Sequence, residues 1–306
     1  MMIAYGKKDR PLSTGEYIRN RAARILPLYY TAMILMLVYY FVRANILKTP
    51  SNYNINGVDT ILNGLLVQAW IPQKAFTLNP PAWSLSVEVF FYLSFPFILN
   101  RVHRKLSLHS FVKWTVIVFI FSQALFHFLI YTWSEHIYFF YFFPLLRINE
   151  FLAGIALGAL FIMQKKPLKN TVPGLIILII LFTIILRINT SPVNFHNGLF
   201  AIFFVPMLYL LANNQGTVNR IFSKKSLIFL GEISYGVYIF QFPVYFFFTS
   251  VLTYFGYKIS PPLFYVYLLI LLIVSAICHV LIELPLRKRI RKLGLVTRTT
   301  ASQSHL

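Results

Sequence analysis

Acidic residues are scarce in this chain. Its 306 residues hold 8 Asp and Glu against 28 Lys and Arg, it has one cysteine, and charged residues of all kinds make up 12%. Each scarcity closes off a class of protein. Too few charges are present to solvate a globular surface, which excludes a water-soluble domain. The lone Cys278 supports neither an internal disulfide nor a cluster of thiolate ligands, and the 7 His are scattered without metal-ligand spacing, so no metal site is expected. Repeats, low-complexity linkers and a small-residue cleavage site are also missing. The first apolar run therefore reads as a retained span and not as a cleaved signal.

What the chain has in abundance is apolar surface: 58% hydrophobic residues and 18% aromatic. Runs long enough, or nearly long enough, to cross a bilayer recur at 26–42, 84–99, 113–131, 148–163, 172–187, 198–212, 228–250 and 263–285. The expected fold is all-α, a polytopic transmembrane helix bundle of about eight spans. The run at 59–70 is too short for a ninth and reads as interfacial or re-entrant. Residues 1–292 are expected to form a single membrane-embedded domain, and 293–306 a polar, disordered tail.

A net charge of +20 invites a nucleic-acid reading, and topology explains it better. With the N-terminus placed in the cytoplasm, the segments that fall inside hold 22 of the 28 Lys and Arg, in groups around Arg19, Arg101, Lys165, Arg220 and Arg287. The outer segments hold Arg43, Lys48, Lys74, Arg147, Arg187 and Lys258. That asymmetry is the positive-inside pattern. It predicts cytoplasmic termini, a multi-pass protein of the cell (inner) membrane, and a lipid bilayer or cytoplasmic anionic substrate as partner, with no nucleic acid.

The rare carboxylates then matter most. Glu88, Glu150 and Glu283 fall within or at the edge of apolar runs, and an acid at the bilayer centre costs about 3 kcal/mol unless it faces helices, water or a partner. Glu88 sits about one turn into its span, four residues after Ser84 and so on the same helical face, at an outer level. Glu150 follows Arg147 by one turn at another outer helix start and is succeeded at spacings of four by Gly154 and Gly158, a stripe that admits a neighbouring helix. Two readings stand: a buried ion pair of Arg147 with Glu88 or Glu150 that ties helices together, or a polar cavity that orients or deprotonates a hydroxyl. Toward the inner face, "EYIRNRAARILPLYY" sets Arg21 and Arg24 three apart with Arg19 nearby. Guanidinium forks suit phosphate, and such runs also serve as headgroup anchors. Ser234, Tyr238 and Gln241 form a polar stripe in an apolar helix. Glu283 ends the last span beside a Pro and a basic cluster, where a purely structural role is equally open. His127 and His279 lie in spans and read as packing residues.

Five motifs in order resemble the acyltransferase type three family of integral membrane O-acyltransferases that modify surface polysaccharides, peptidoglycan and related glycans. They are "RNRAARILP", "PPAWSLSVEVFFYLSFP", "RINEFLAGIALG", "LGEISYGVYIFQFPV" and "IELPLR", and the resemblance runs from the first residues to about 292. It implies transfer of an acyl group, usually acetyl, from cytoplasmic acyl-coenzyme A (acetyl-CoA) as donor substrate, with no bound cofactor, to a glycan hydroxyl acceptor. On this view Arg21 and Arg24, with Arg19, bind the donor's phosphates. Glu88 and Glu150 act on the acceptor as acid/base or positioning groups, with Arg147 as charge partner. Trp83, Ser84, Ser86, Ser234 and Tyr238 contact substrate. The family's Arg pair is here Asn20 then Arg21. The family's two preceding helices, the first bearing its His base, have no counterpart, so the chain reads as a fragment, a chain begun at an internal Met, or a decayed member, with its activity as it stands left open. Gln241 stands where the family often has His and offers no replacement base. The alternatives are a glycan or lipid-intermediate transporter, expected to show matched broken helices that this sequence lacks, and a catalytically dead membrane scaffold that would not need Glu88.

Overall fold

An apolar chain in lipid satisfies its backbone within helices or a closed barrel, and this chain takes the first course. The structure, a computed structural model, describes residues 1–6, 12–46, 55–164, 168, 171–188, 198–257 and 260–292. The expected tail and the basic residues Lys7, Lys8, Arg10, Lys48, Lys165, Lys166, Lys169, Lys258 and Arg298 lie outside these. In chain order the helices are α1 (Met2–Tyr5), α2 (Thr14–Phe41), α3 (Gly57–Gly64), α4 (Trp83–Phe97), α5 (Leu108–Thr132), α6 (Ile137–Phe142), α7 (Ile148–Met163), α8 (Val172–Ile188), α9 (Ala201–Ala212), α10 (Thr217–Phe222), α11 (Lys225–Tyr254) and α12 (Pro261–Cys278). Three of them run on into π-helical turns: α2 into Val42–Ile46, α4 into Ile98–His103, and α12 into His279–Glu283 before continuing to Lys292.

Among the described residues six helices are long and apolar enough to cross a membrane: Thr14–Asn45, Pro80–Val102, Leu108–Thr132, Pro144–Met163, Lys225–Tyr254 and Pro261–Lys292. The remaining two expected spans are shorter apolar helices, Val172–Arg187 and Ala201–Ala212. At 1.5 Å per residue a helix of the latter length reaches only about 18 Å, short of a hydrocarbon layer of about 30 Å. The chain is thus an all-α, multi-pass membrane protein. Hydropathy locates its helices but misjudges their ends, most of all at α2, which starts twelve residues before the first apolar run.

By their internal contacts the residues form two units, Met1–Leu12 with Leu93–Ile228, and Ser13–Tyr92 with Phe229–Leu306. In the first unit α7 is the centre, packed against α5, α1 and α9, while α8 packs on α9. The glycine stripe of α7 is used once. A side chain at Gly158 would place its Cβ 2.7 Å from Met2 Cβ, so the absence of one lets α1 close on α7, whereas Gly154 faces open space. Asn100 holds the start of the chain through both bonds of its amide to the Leu12 backbone, 3.0 and 3.2 Å.

In the second unit a core of Leu28, Met36, Leu85, Ile239, Phe240 and Leu271, among others, unites α2, α4, α11 and α12. The segment expected to be interfacial or re-entrant is α3 followed by short 3₁₀ turns to Ala82. Buried amides hold it in place: Gln68 Nε2 donates to Ala82 O at 2.9 Å within the segment, Asn63 Nδ2 to Thr77 Oγ1 at 2.9 Å, and Asn79 Nδ2 to Ile239 O of α11 at 3.0 Å. Leu66 and Leu78 hold positive φ here (57° and 63°) and are both buried. Each such conformation costs about 1–3 kcal/mol and persists only because packing fixes it.

Asp59 ties the segment down. Asn56 and Asp59 cap α3 reciprocally, and Lys74 Nζ lies 2.7 Å from Asp59 Oδ1. The hydrogen bond from Lys74 holds the Asp59 carboxyl below its ordinary value of 3.8, burial opposing it. A lowered carboxyl stabilises the fold above its unfolded pKa, and that stabilisation is lost as pH falls through the folded value. Asp59→Ala is expected to lower Tm in detergent by the equivalent of about 1–2 kcal/mol at neutral pH, and the deficit relative to wild type should shrink on acidification below pH about 4. A deficit that stays constant with pH would mean that the cap, and not the ion pair, holds the segment.

Candidate functional site

α2 carries its arginines inside the helix, because the chain is already helical from Thr14. Arg24 is thus about 15 Å along the axis from the helix start. Arg21 lies over the ring of Tyr17, 5.8 Å from its centroid, an attraction suited to a desolvated guanidinium. Arg24 is exposed and Arg21 half-buried. The Nε atoms of Arg21 and Arg19 are buried and, among the described residues, lack a hydrogen-bond partner.

Glu88 belongs with these residues. On α4 its carboxylate accepts a 2.8 Å hydrogen bond from Tyr92 Oη, one turn on. The charges that reach it are those of Arg24 and Arg21. The expected division, with Glu88 in an outer set and the arginines in an inner one, is therefore corrected: acid and bases share one polar region of the second unit. α2 starts before its apolar run, so its arginines are held on the same helix as core residues of this unit. Tyr235 of α11 joins them. Its hydroxyl donates to Ile25 O at 3.1 Å, and it is in electrostatic reach of Glu88, Tyr92 and Glu283. Tyr92 and Tyr235 fall within two of the five motifs, which is the signal that marks them, since composition alone does not single out a tyrosine in an aromatic-rich span.

Among the expected substrate-contacting residues, Ser84 and Tyr238 are brought together. Their hydroxyls are 2.8 Å apart, and each also reaches Pro81 O, at 3.2 and 2.9 Å. Trp83, half-buried, starts α4 beside them in sequence. Ser86 is fully buried and accepts from Ala69 N at 3.3 Å, a structural task. Ser234 Oγ donates back to Gly231 O at 2.8 Å, the local bond typical of helical serine.

Arg147 and Glu150 form a site in the first unit. Arg147 is buried. Its Nε donates to Tyr141 O at 2.9 Å, and its terminal nitrogen is 2.6 Å from Glu150 Oε1. Of the two pairings the sequence left open, the pair seen is the one with Glu150. Gly198 roofs it: φ there is +77°, and a Cβ would fall 2.2 Å from Glu150 Cγ, so only glycine fits on both counts. Among the described residues no three His, Cys, Asp or Glu side chains converge as a metal site requires.

The chain is 34% identical over 107 residues to Acyltransferase MdmB of Streptomyces mycarofaciens, an alignment covering 34% of this chain and 26% of that protein. It is 24% identical over 312 aligned positions to O-acetyltransferase OatA of Staphylococcus aureus, covering 94% of this chain and 50% of that protein. The chain thus spans about half the length of OatA. No solved structure matches it. A family model described as "Acyltransferase domain" matches residues 2–281, and the chain belongs to that family.

Proposed function

We propose that the chain transfers an acyl group, acetyl in the first instance, from acyl-CoA on the cytoplasmic side of the cell's inner membrane to a hydroxyl of a cell-surface glycan. The observation that carries this reading is the shared surroundings of Arg21, Arg24 and Glu88. Guanidiniums with unused donors suit the donor's phosphates. A carboxylate beside them, fixed in orientation by Tyr92, suits an acceptor hydroxyl. The acceptor O–H gives its proton to Glu88 as its oxygen attacks the thioester carbonyl. The carbon–sulfur bond then breaks, and the leaving thiolate takes the proton from Glu88. The paired hydroxyls of Ser84 and Tyr238 offer the glycan hydrogen-bond partners, with Trp83 as a stacking face. The name O-acetyltransferase borne by OatA supports acetyl as the group moved.

The test is direct. Proteoliposomes holding the protein are given acetyl-CoA labelled in the acetyl group together with a polysaccharide or peptidoglycan acceptor. Label is expected to appear as a base-labile ester on the glycan, and Arg24→Gln is expected to raise KM for acetyl-CoA about tenfold or more with a smaller change in kcat. Label that remains on coenzyme A, or appears only as free acetate, would overturn the proposal.

A further inference from the structure

The helix that runs from Pro261 to Lys292 brings one more arginine to the region of α2. The π-helical turn His279–Glu283 packs against α2, and Arg287 follows one turn later. The π-helical turn is a local widening of the kind often found where side chains have work other than packing. His279 Nδ1 and Glu283 Oε2 are 2.8 Å apart, and both residues are buried. A second carboxylate, Glu232, stands 4.0 Å from His279 Nε2. Glu283's other oxygen is 3.9 Å from the Arg287 guanidinium, too far for a hydrogen bond. Glu283 therefore gives its short bond to His279 and keeps Arg287 near without saturating it.

Arg287 also carries an orphan. Its Nε is buried and, among the described residues, has no hydrogen-bond partner, as is the case for Nε of Arg21. Charges within electrostatic reach of Arg287 include Arg24 and Arg21 as well as Glu283 and Arg291. Like charges gathered on two touching helices repel, and buried donors without acceptors carry a desolvation penalty. Glu88 and Glu283 offset part of this charge, but among the described residues nothing accepts from the buried Nε of Arg21 or Arg287. A multidentate anion would relieve both costs at once.

We infer that Arg287 is the third arm of a phosphate-ester site formed with Arg21 and Arg24, and that Glu283, clamped by His279, positions it. This rests on the donor reading above in so far as the phosphate ester is that of the acyl donor. An anionic phospholipid headgroup presents the same chemistry, and the experiment separates the two sources.

The 306-residue protein is placed in nanodiscs of neutral lipid and titrated calorimetrically with coenzyme A and with 3′-dephospho-coenzyme A. In parallel its thermal stability is followed as phosphatidylglycerol is added. Arg287→Gln is expected to weaken coenzyme A binding about tenfold or more, and Arg287→Lys to recover only part, because an ammonium lacks the planar fork. Glu283→Gln is expected to reduce the preference for coenzyme A over its dephospho form, a ratio that loss of packing alone does not move. If Arg287→Gln and Arg287→Lys bind as wild type does while Arg24→Gln is weakened, the third arm is refuted and the donor site stands. If wild type does not bind coenzyme A but is stabilised by phosphatidylglycerol in a way that needs Arg287, the donor reading falls and the phosphate is a headgroup's. If neither ligand distinguishes the Arg287 variants from wild type, the inference is overturned whatever the source.

Discussion

Glu88→Gln is expected to lower glycan acylation by about 100-fold or more while leaving the amount and Tm of membrane-inserted protein close to wild type. The substitution keeps the shape of the side chain and a carbonyl oxygen able to accept from Tyr92 Oη, now at 2.8 Å from the carboxylate, so packing has little reason to change. What is lost is basicity and negative charge. These two losses have different signatures. If Glu88 serves as proton acceptor, kcat falls and KM for acyl-CoA is nearly unchanged. If it serves only as counter-charge to Arg24 and Arg21, its removal frees them for an anionic donor, so KM for acyl-CoA falls and kcat holds. Tyr92→Phe separates orientation from chemistry: it removes the hydrogen bond but keeps the carboxylate, and a loss of about tenfold is expected. Activity in Glu88→Gln equal to wild type would remove the acid/base role, and a protein with no acyl transfer in any variant would fit the scaffold alternative. The readout is ester-linked acetyl on the acceptor, normalised to protein in the membrane.

Hydropathy made the helices of this protein legible because their length and apolarity are one-dimensional properties. Each of the eight apolar runs contains helix, and α5 and α7 agree with the expected bounds to within a few residues at most ends. Helix ends were less legible, as α2 shows: a helix can begin in polar sequence, and its arginines are then part of it. Lateral neighbours were not legible at all. Tyr235 bonds to Ile25 O across 210 residues and Asn79 to Ile239 O across 160, and no periodicity encodes which face of one span meets which face of another. Hydroxyls misled for a related reason. Ser86 and Ser234 read as a polar lining, yet Ser234 bonds to the backbone of its own helix and Ser86 accepts from the distant Ala69 N, so a hydroxyl in an apolar run is weak evidence of a substrate. Carboxylates were the better guide, because their burial cost requires a partner. Glu88, Glu150 and Glu283 each have one, in Tyr92, Arg147 and His279. The residue least valued from sequence, His279, proved to be buried against Glu283 at the edge of the region that holds Arg287.

Arg147→Met is expected to destabilise the first unit by about 1–3 kcal/mol, because it leaves the Tyr141 carbonyl and the partly exposed Glu150 carboxylate without this donor. Glu150→Gln is expected to cost less: glutamine still accepts from Arg147, and the carboxylate side chain is the more exposed partner, 32% against 10%. The double variant Arg147→Met with Glu150→Leu decides what the pair is for. Replacing both members of a buried ion pair by apolar residues of similar size is often neutral or stabilising, so the double variant is expected to regain most of the Tm lost in Arg147→Met. A clasp that only joins the start of α7 to the Tyr141 backbone predicts that acyl transfer returns together with stability. A pair that positions the acceptor predicts a folded protein whose KM for the glycan stays raised while KM for acyl-CoA is that of wild type. The first outcome is the one expected, because the pair as seen joins the start of α7 to the Tyr141 backbone within the first unit. Recovery of glycan KM to the wild-type value would assign Arg147 and Glu150 to the architecture and leave the chemistry to Glu88.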